Sequence, residues 1–146
     1  RVYALEGQGA AQFALPGAID QLRSLPTGDH AHRTLAAADP AQPYGALLSW
    51  PEAATRPART AGAWVTLTHD GPALYLARGR KSLTTWPVED LHAAAQSLAS
   101  ALAGQTTTIT RIDGEDVGAL AADDERIGAL IDAGFAATPS GLRLRR

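Results

Sequence analysis

Three groups of residues in this chain carry chemistry in their types and spacing. Arg78, Arg80 and Lys81 surround Gly79, where one alternating run ends and the next begins. Guanidinium forks match phosphate oxygens, and a glycine lets the backbone approach a ligand closely. Arg56 and Arg59 add the same sign from the preceding loop. Turns and sheet edges also carry charge simply to stay solvated, so the residues leave both readings open. Arg143 and Arg145, followed by Arg146, form a second basic set. In an extended segment, residues two apart project from one face and act as a pair; they make either phosphate contacts or a solubilising edge strand. The third group is a carboxylate. Asp39 precedes Pro40 in a loop that also carries Tyr44 and Trp50. Beside aromatic rings a carboxyl group can shift its pKa and activate water, and the rings can stack on an unpaired base. The competing role is an Asx turn, in which the Asp side chain caps its own loop.

Other chemistries find little support. His30 and His32 lie next to Asp29, but no third ligand follows at a metal-binding spacing, and His69 and His92 are distant. Surface histidines and no metal site are expected. With no cysteine, disulfide, zinc-thiolate and cysteine-nucleophile readings fall away. There is no GxxxxGK[ST] phosphate loop, so these residues do not build an ATP motor. Gly7-Gln8-Gly9 lacks the rest of a dinucleotide fingerprint, and no nucleophile elbow occurs. No apolar run is long enough to span a membrane and no signal-peptide pattern opens the sequence, so a cytosolic protein is expected. The net charge of −2 conceals an asymmetry. From Ala53 to Trp86, five cations face one acid, Asp70; from Pro87 to Asp132, nine acids face Arg111 and Arg126. Binding depends on the local patch rather than on the total.

The elements that must position these groups follow from periodicity. Arg1–Leu5, the Gly7-Gln8-Gly9 turn and Gln12–Leu15 read as a hairpin, with Phe13 and Leu15 on one side. Pro16 suits the first turn of a helix whose inward positions are Ile19, Leu22 and Leu25. Arg33–Ala38 is a short strand. The loop Asp39–Arg59 carries too many large apolar groups to be a linker and is expected to pack against the domain. Gly62–His69, Asp70-Gly71-Pro72 and Ala73–Arg78 form a hairpin, and Ser82–Trp86 adds a third strand. A helix is expected from Pro87, with Glu89 and Asp90 in its first turn and Leu91, Ala95, Leu98 and Leu102 buried. Thr106–Ile112 reads as one strand closed by Asp113-Gly114. A second helix spans Asp123–Ala133 with Ile127, Leu130 and Ile131 inward, and a hairpin ends the chain with Leu142 and Leu144 in, Arg143 and Arg145 out. The class is α+β, rich in β-hairpins, with a strongly curved antiparallel sheet or small barrel and two to three helices.

Four blocks, in order, carry a family resemblance: GAAQFALPGAIDQLR (Gly9–Arg23), ADPAQPYG (Ala38–Gly45), YLARGRKSL (Tyr75–Leu83) and GLRLR (Gly141–Arg145). Together they resemble the C-terminal region of Lhr-type large ATP-dependent DNA helicases, beyond the tandem winged helices. The resemblance implies that residues 1–27 are the tail of a winged-helix unit, its wing hairpin and helix, and that residues 28–146 are a C-terminal β-barrel-like module. It further implies a parent protein that couples ATP and Mg to 3′-to-5′ movement on single-stranded DNA in DNA repair, in the bacterial cytosol or nucleoid. This piece itself would hold no cofactor. DNA, single-stranded or partly unwound, and the other domains of the same protein are the implied partners. The expected DNA contacts are Arg56, Arg59, Arg78, Arg80, Lys81, Arg143 and Arg145. Two alternatives remain. One is a share in a uracil-DNA glycosylase unit through Asp39 and Tyr44, with Trp50 beside them; the other is homo-oligomerisation through a surface formed by Trp50, Trp64 and Trp86.

Overall fold

The structure, a computed structural model, describes the backbone of Val2–Tyr3 and Gln12–Phe13 together with residues 15–24 and 31–145. Its class is α+β. β1 (Val2–Tyr3) and β2 (Gln12–Phe13) pair antiparallel, Val2 opposite Phe13, as the sequence pattern suggested. Pro16 and Gly17 form a turn, and α1 (Ala18–Ser24) begins only after it. Gly17 adopts φ +84°, which ends the extended run before the helix instead of opening it. Ile19 is half-buried and Leu15 is exposed; the expected inward side chains of Phe13, Leu22 and Leu25 lie outside the described residues.

The main sheet has six strands in the order β3-β4-β5-β6-β8-β9. β3 (Arg33–Ala36), β4 (Trp64–Thr68), β5 (Gly71–Leu76) and β6 (Ser82–Thr85) run antiparallel to one another. The segment expected to be one strand, Thr106–Ile112, is two. β7 (Thr107–Ile109) belongs to a three-stranded sheet, while β8 (Arg111–Ile112) pairs parallel with β6. The reason lies in the apolar spacing. Thr107 and Ile109 keep period two, but the next fully buried residue is Ile112, three further on. A single strand would turn Ile112 to the wrong face. The chain therefore shifts at Thr110, whose N–H donates to the Lys81 carbonyl at 2.8 Å. β9 (Glu115–Asp116) folds back on β8 through Asp113-Gly114, both with positive φ (54° and 87°), the signature of a type I′ turn. The sheet is mixed and open rather than closed into a barrel.

α2 (Leu91–Ala101) crosses one face of this sheet, burying Ala94, Ala95 and Leu98 among Leu74, Leu76 and Leu83. The helix starts later than expected. Asp90 lies outside it as the N-cap, its carboxylate accepting from the Ala93 N–H at 2.8 Å, because a free helix N–H prefers that acceptor to solvent. α3 (Glu125–Asp132) is likewise shorter, capped by Asp124. It buries Ala129 and Leu130 and leaves Ile131 exposed, contrary to the expected inward position. β10 (Ala136–Thr138) and β11 (Gly141–Leu144) form the expected terminal hairpin, and β11 pairs with β7. Leu142 is buried, Leu144 packs against the core, and Arg143 and Arg145 are exposed.

The other face of the sheet is covered by loop residues 37–62, packed as expected. Tyr75 on β5 donates its hydroxyl to the Ala58 carbonyl (3.0 Å), and the Trp86 indole N–H donates to the Glu52 carbonyl (3.0 Å). Thr84 on β6 bonds Thr55. Trp50 stacks on Trp86 and on Tyr44, with ring centroids 6.2 and 5.6 Å apart, and meets Tyr75 edge-on. Trp64 packs instead into the core on the α2 side. The three tryptophans therefore form no common surface: Trp50 and Trp86 are used up in holding the loop, and alternation along β4 sends Trp64 the other way.

Candidate nucleic-acid interface

The register of the main sheet decides which charges meet. β5 ends at Leu76 opposite Leu83 of β6, and the turn between them displays Arg78, Gly79, Arg80 and Lys81. Gly79 and Arg80 both have positive φ, 88° and 58°. A non-glycine residue in that region is strained and needs outside support. Arg80 has it: its guanidinium bonds the Gln105 side chain in the connection between α2 and β7, and its N–H donates to the Ala77 carbonyl at 2.8 Å. The turn is thus tied to the end of α2. Arg78 and Lys81 are exposed.

The other basic residues approach from two sides. β4 begins at Trp64, beside the end of β5, so Gly62 lies at this same end; a Cβ there would be 3.7 Å from Arg78 Cγ. Arg59, three residues earlier, is exposed and donates to the Asp39 carbonyl at 3.0 Å. On the far side, Leu144 pairs with Thr107, which puts the exposed Arg145 next to the Gln105 connection that Arg80 holds. Arg59, Arg78, Arg80, Lys81 and Arg145 therefore gather around one end of the sheet. Arg143 stands one pair further in, opposite Thr108, and Arg56 is exposed in the loop.

Several carboxylates lie at the opposite end, although Asp39, Asp116 and Asp132 stay near the basic one. Glu89 and Asp90 precede α2, Asp70 sits in the β4–β5 turn, and Asp113 follows β8. A cleft of about 720 Å³ opens there, lined in part by His32, His69, Asp70, Glu89 and Asp90. His69 Nε2 lies 3.0 Å from Asp70 Oδ1. Among the described residues no three His, Asp or Glu side chains come together as metal ligands. Its acidic lining makes this cleft a poor match for a phosphate.

Sequence reasoning missed an ion network at this end. Asp113 Oδ1 accepts from the Thr85 N–H (2.7 Å), and its Oδ2 accepts from the Thr85 hydroxyl (2.6 Å) and from Arg126 Nη1 (3.0 Å). Arg126 also grips Asp124 with two donors, Nε at 3.0 Å and Nη2 at 2.7 Å. Those hydrogen bonds hold the Asp124 carboxyl below its ordinary pKa and push Arg126 above its own. The network stitches α3 and the β8–β9 turn to β6. Asp124 and Arg126 are two apart in sequence, but nothing there points to Asp113 or Thr85.

Asp39 sits on the loop face. Its Oδ1 accepts from the Ala41 N–H at 2.8 Å, the Asx turn that competes with a catalytic role. Next to it, buried Gln42 spends its amide on the loop. It donates to the Ala37 and Tyr44 carbonyls, each at 2.9 Å, and accepts from the Tyr44 N–H. Tyr44 packs on Trp50.

No family model matches the chain. Two curated proteins do. It is 40% identical to the "Lhr helicase/ probable uracil glycosylase" of Mycolicibacterium smegmatis, over an alignment of 161 residues that takes in 99% of this chain. It is 36% identical to the "Lhr helicase/uracil glycosylase" of Escherichia coli K12 over 94% of its length. The chain spans only 11% and 10% of these two relatives. By this similarity along nearly all its residues, the chain belongs to the Lhr family, as one small region of its large members.

Proposed function

We propose that this region contacts DNA phosphates and helps assemble an Lhr-like ATP-dependent DNA helicase working in DNA repair, and that it is not the motor. One observation carries the reading: Arg59, Arg78, Arg80, Lys81 and Arg145 surround one end of the main sheet, while Asp70, Asp90 and the Asp113–Arg126 network lie toward the other. Fixed turns bearing guanidinium groups and glycine offer charge and close backbone approach rather than base-reading geometry. DNA, single-stranded or partly unwound, and the other domains of the same protein are the partners; ATP and Mg belong elsewhere in the helicase. Affinity depends little on sequence and falls steeply with salt. The test titrates labelled single-stranded and duplex DNA against wild type and an Arg78/Arg80/Lys81 triple-alanine variant at several salt concentrations. Each phosphate contact removed lowers the log–log salt slope by roughly 0.7–0.9. Equal affinities and slopes would leave assembly alone as the role.

The names of both relatives motivate a second reading, a share in uracil excision. Here Asp39, half-buried, would activate water in the loop that also carries the stacked Tyr44 and Trp50. Asp39→Asn preserves the Asx turn and removes the base, so it abolishes uracil release and spares DNA affinity. Unchanged release would exclude Asp39 from the chemistry.

A further inference from the structure

The turn Pro43–Leu48 is apolar at its tip, where loops ordinarily expose polar side chains. It reads Pro-Tyr-Gly-Ala-Leu-Leu, and Leu47 is 78% exposed. A single exposed leucine needs no explanation; a leucine held out on a stiff mount does. The Leu47 and Leu48 N–H groups both donate to the Pro43 carbonyl (2.9 and 3.1 Å), and the Gly45 N–H donates to the Leu48 carbonyl at 2.7 Å. Gln42 clamps the base of the turn from within, and Tyr44 is stacked on Trp50. Gly45 has φ +79°, and a Cβ there would lie 2.7 Å from the Trp50 indole nitrogen and 3.3 Å from Arg59 Cβ. A side chain at position 45 would collide with that indole, so the turn requires glycine there and its path is fixed. Arg59, one of the cations of the basic end, lies against Gly45 of the same turn, two residues before Leu47.

We infer that Leu47 is an apolar wedge that enters the base stack of bound DNA while Arg59 holds the adjoining phosphate. An apolar side chain between base steps partly unstacks them, and a neighbouring cation anchors the backbone so that it stays there. A purely apolar protein partner would leave Arg59 without a counter-charge. This inference rests on the reading that the basic end binds DNA.

The experiment uses the purified chain and duplexes carrying 2-aminopurine, at saturating protein and constant salt, with DNA affinity measured in parallel. Wild type raises the 2-aminopurine fluorescence, most strongly beside a mismatch, where unstacking is cheapest. Leu47→Ala loses that rise and binds roughly tenfold more weakly, the order expected for one leucine side chain taken out of contact. Its salt slope is unchanged, since no phosphate contact is lost. Leu47 is solvent-exposed, so an unaltered melting temperature checks that the variant is folded. Binding by wild type with no fluorescence rise, or an equal rise with Leu47→Ala, would overturn the wedge while leaving DNA binding standing. Loss of self-association in Leu47→Ala with unstacking intact would give the tip to a second copy and equally overturn it. No DNA binding by wild type would overturn the underlying reading, and the wedge with it.

Discussion

Replacing Asp124 separates two roles that one carboxylate fills. Its Oδ1 caps α3 by accepting from the Arg126 N–H at 2.9 Å, and both oxygens bind the Arg126 guanidinium. The Asp124 and Arg126 side chains are 16% and 23% exposed, so the pair is neither a surface ion pair nor a fully buried one. Exposed pairs are worth about 0.2–1 kcal/mol, and breaking a buried pair costs about 3–5 kcal/mol. A value of about 2 kcal/mol suits this degree of burial, and losing the cap adds about 1 kcal/mol. Asp124→Ala is therefore expected to cost about 3 kcal/mol, and Asp124→Asn, which keeps an acceptor at the cap, about 2 kcal/mol. The folded pKa of Asp124 is depressed, so its contribution is complete above the unfolded value, near 4, and is lost as the pH falls through the lower folded value. Urea unfolding at about pH 7 and again at about pH 3 measures both effects. The gap between wild type and Asp124→Asn narrows on the acid side, because the wild-type carboxylate then begins to protonate too. An asparagine variant as stable as wild type at neutral pH, or a gap that stays constant into acid, would refute the reasoning.

Other consequences are simpler. Gly141 has φ +124°, and a Cβ there would lie 2.2 Å from the Ile109 carbonyl oxygen, so Gly141→Ala costs about 3 kcal/mol or more by strain and by prising β11 from β7; thermal melting checks it, and a wild-type melting temperature would contradict the close approach. Asp39→Ala breaks the Asx turn and loses about 1 kcal/mol, while Asp39→Asn stays within about 0.5 kcal/mol of wild type in the same unfolding assay. Gln42→Ala leaves the Ala37 and Tyr44 carbonyls and the Tyr44 N–H without their partner in a buried site. It costs about 2–3 kcal/mol and raises hydrogen exchange in the 37–48 loop more than in α2, which native-state exchange resolves.

What could be read from the sequence was local. Asp70-Gly71 between two alternating runs predicts the β4–β5 hairpin, and the leucines of 142–144 predict which face of β11 turns inward, because both depend on neighbours along the chain. The helices were legible as helices but not at their ends. Asp90 read as a first-turn acid favourable to the dipole and Asp124 as part of the second helix, whereas each serves a free N–H from outside the helix. The break at Thr110 was legible in principle, since Ile109 and Ile112 do not share a parity, yet a run of β-branched residues reads as continuous strand. The candidate site was legible in its parts and not in its assembly. Arg80, Gln105 and Arg145 are far apart in sequence, and only the β7–β11 register and the end of α2 bring them together. The same holds for Arg59 and Arg78, joined through the start of β4 at Gly62. Composition had already divided the charge into a basic stretch and an acidic one. The sheet turns that division into geometry: β5 and β6 run between the 78–81 turn and the Asp113–Arg126 network, so cations gather at one end while Asp113 and Asp124 are tied down at the other. Arg126, one of the two cations that composition sets among nine acids, is consumed in that bracing, and the cations that gather at the basic end are brought together by the sheet register and not by the sequence.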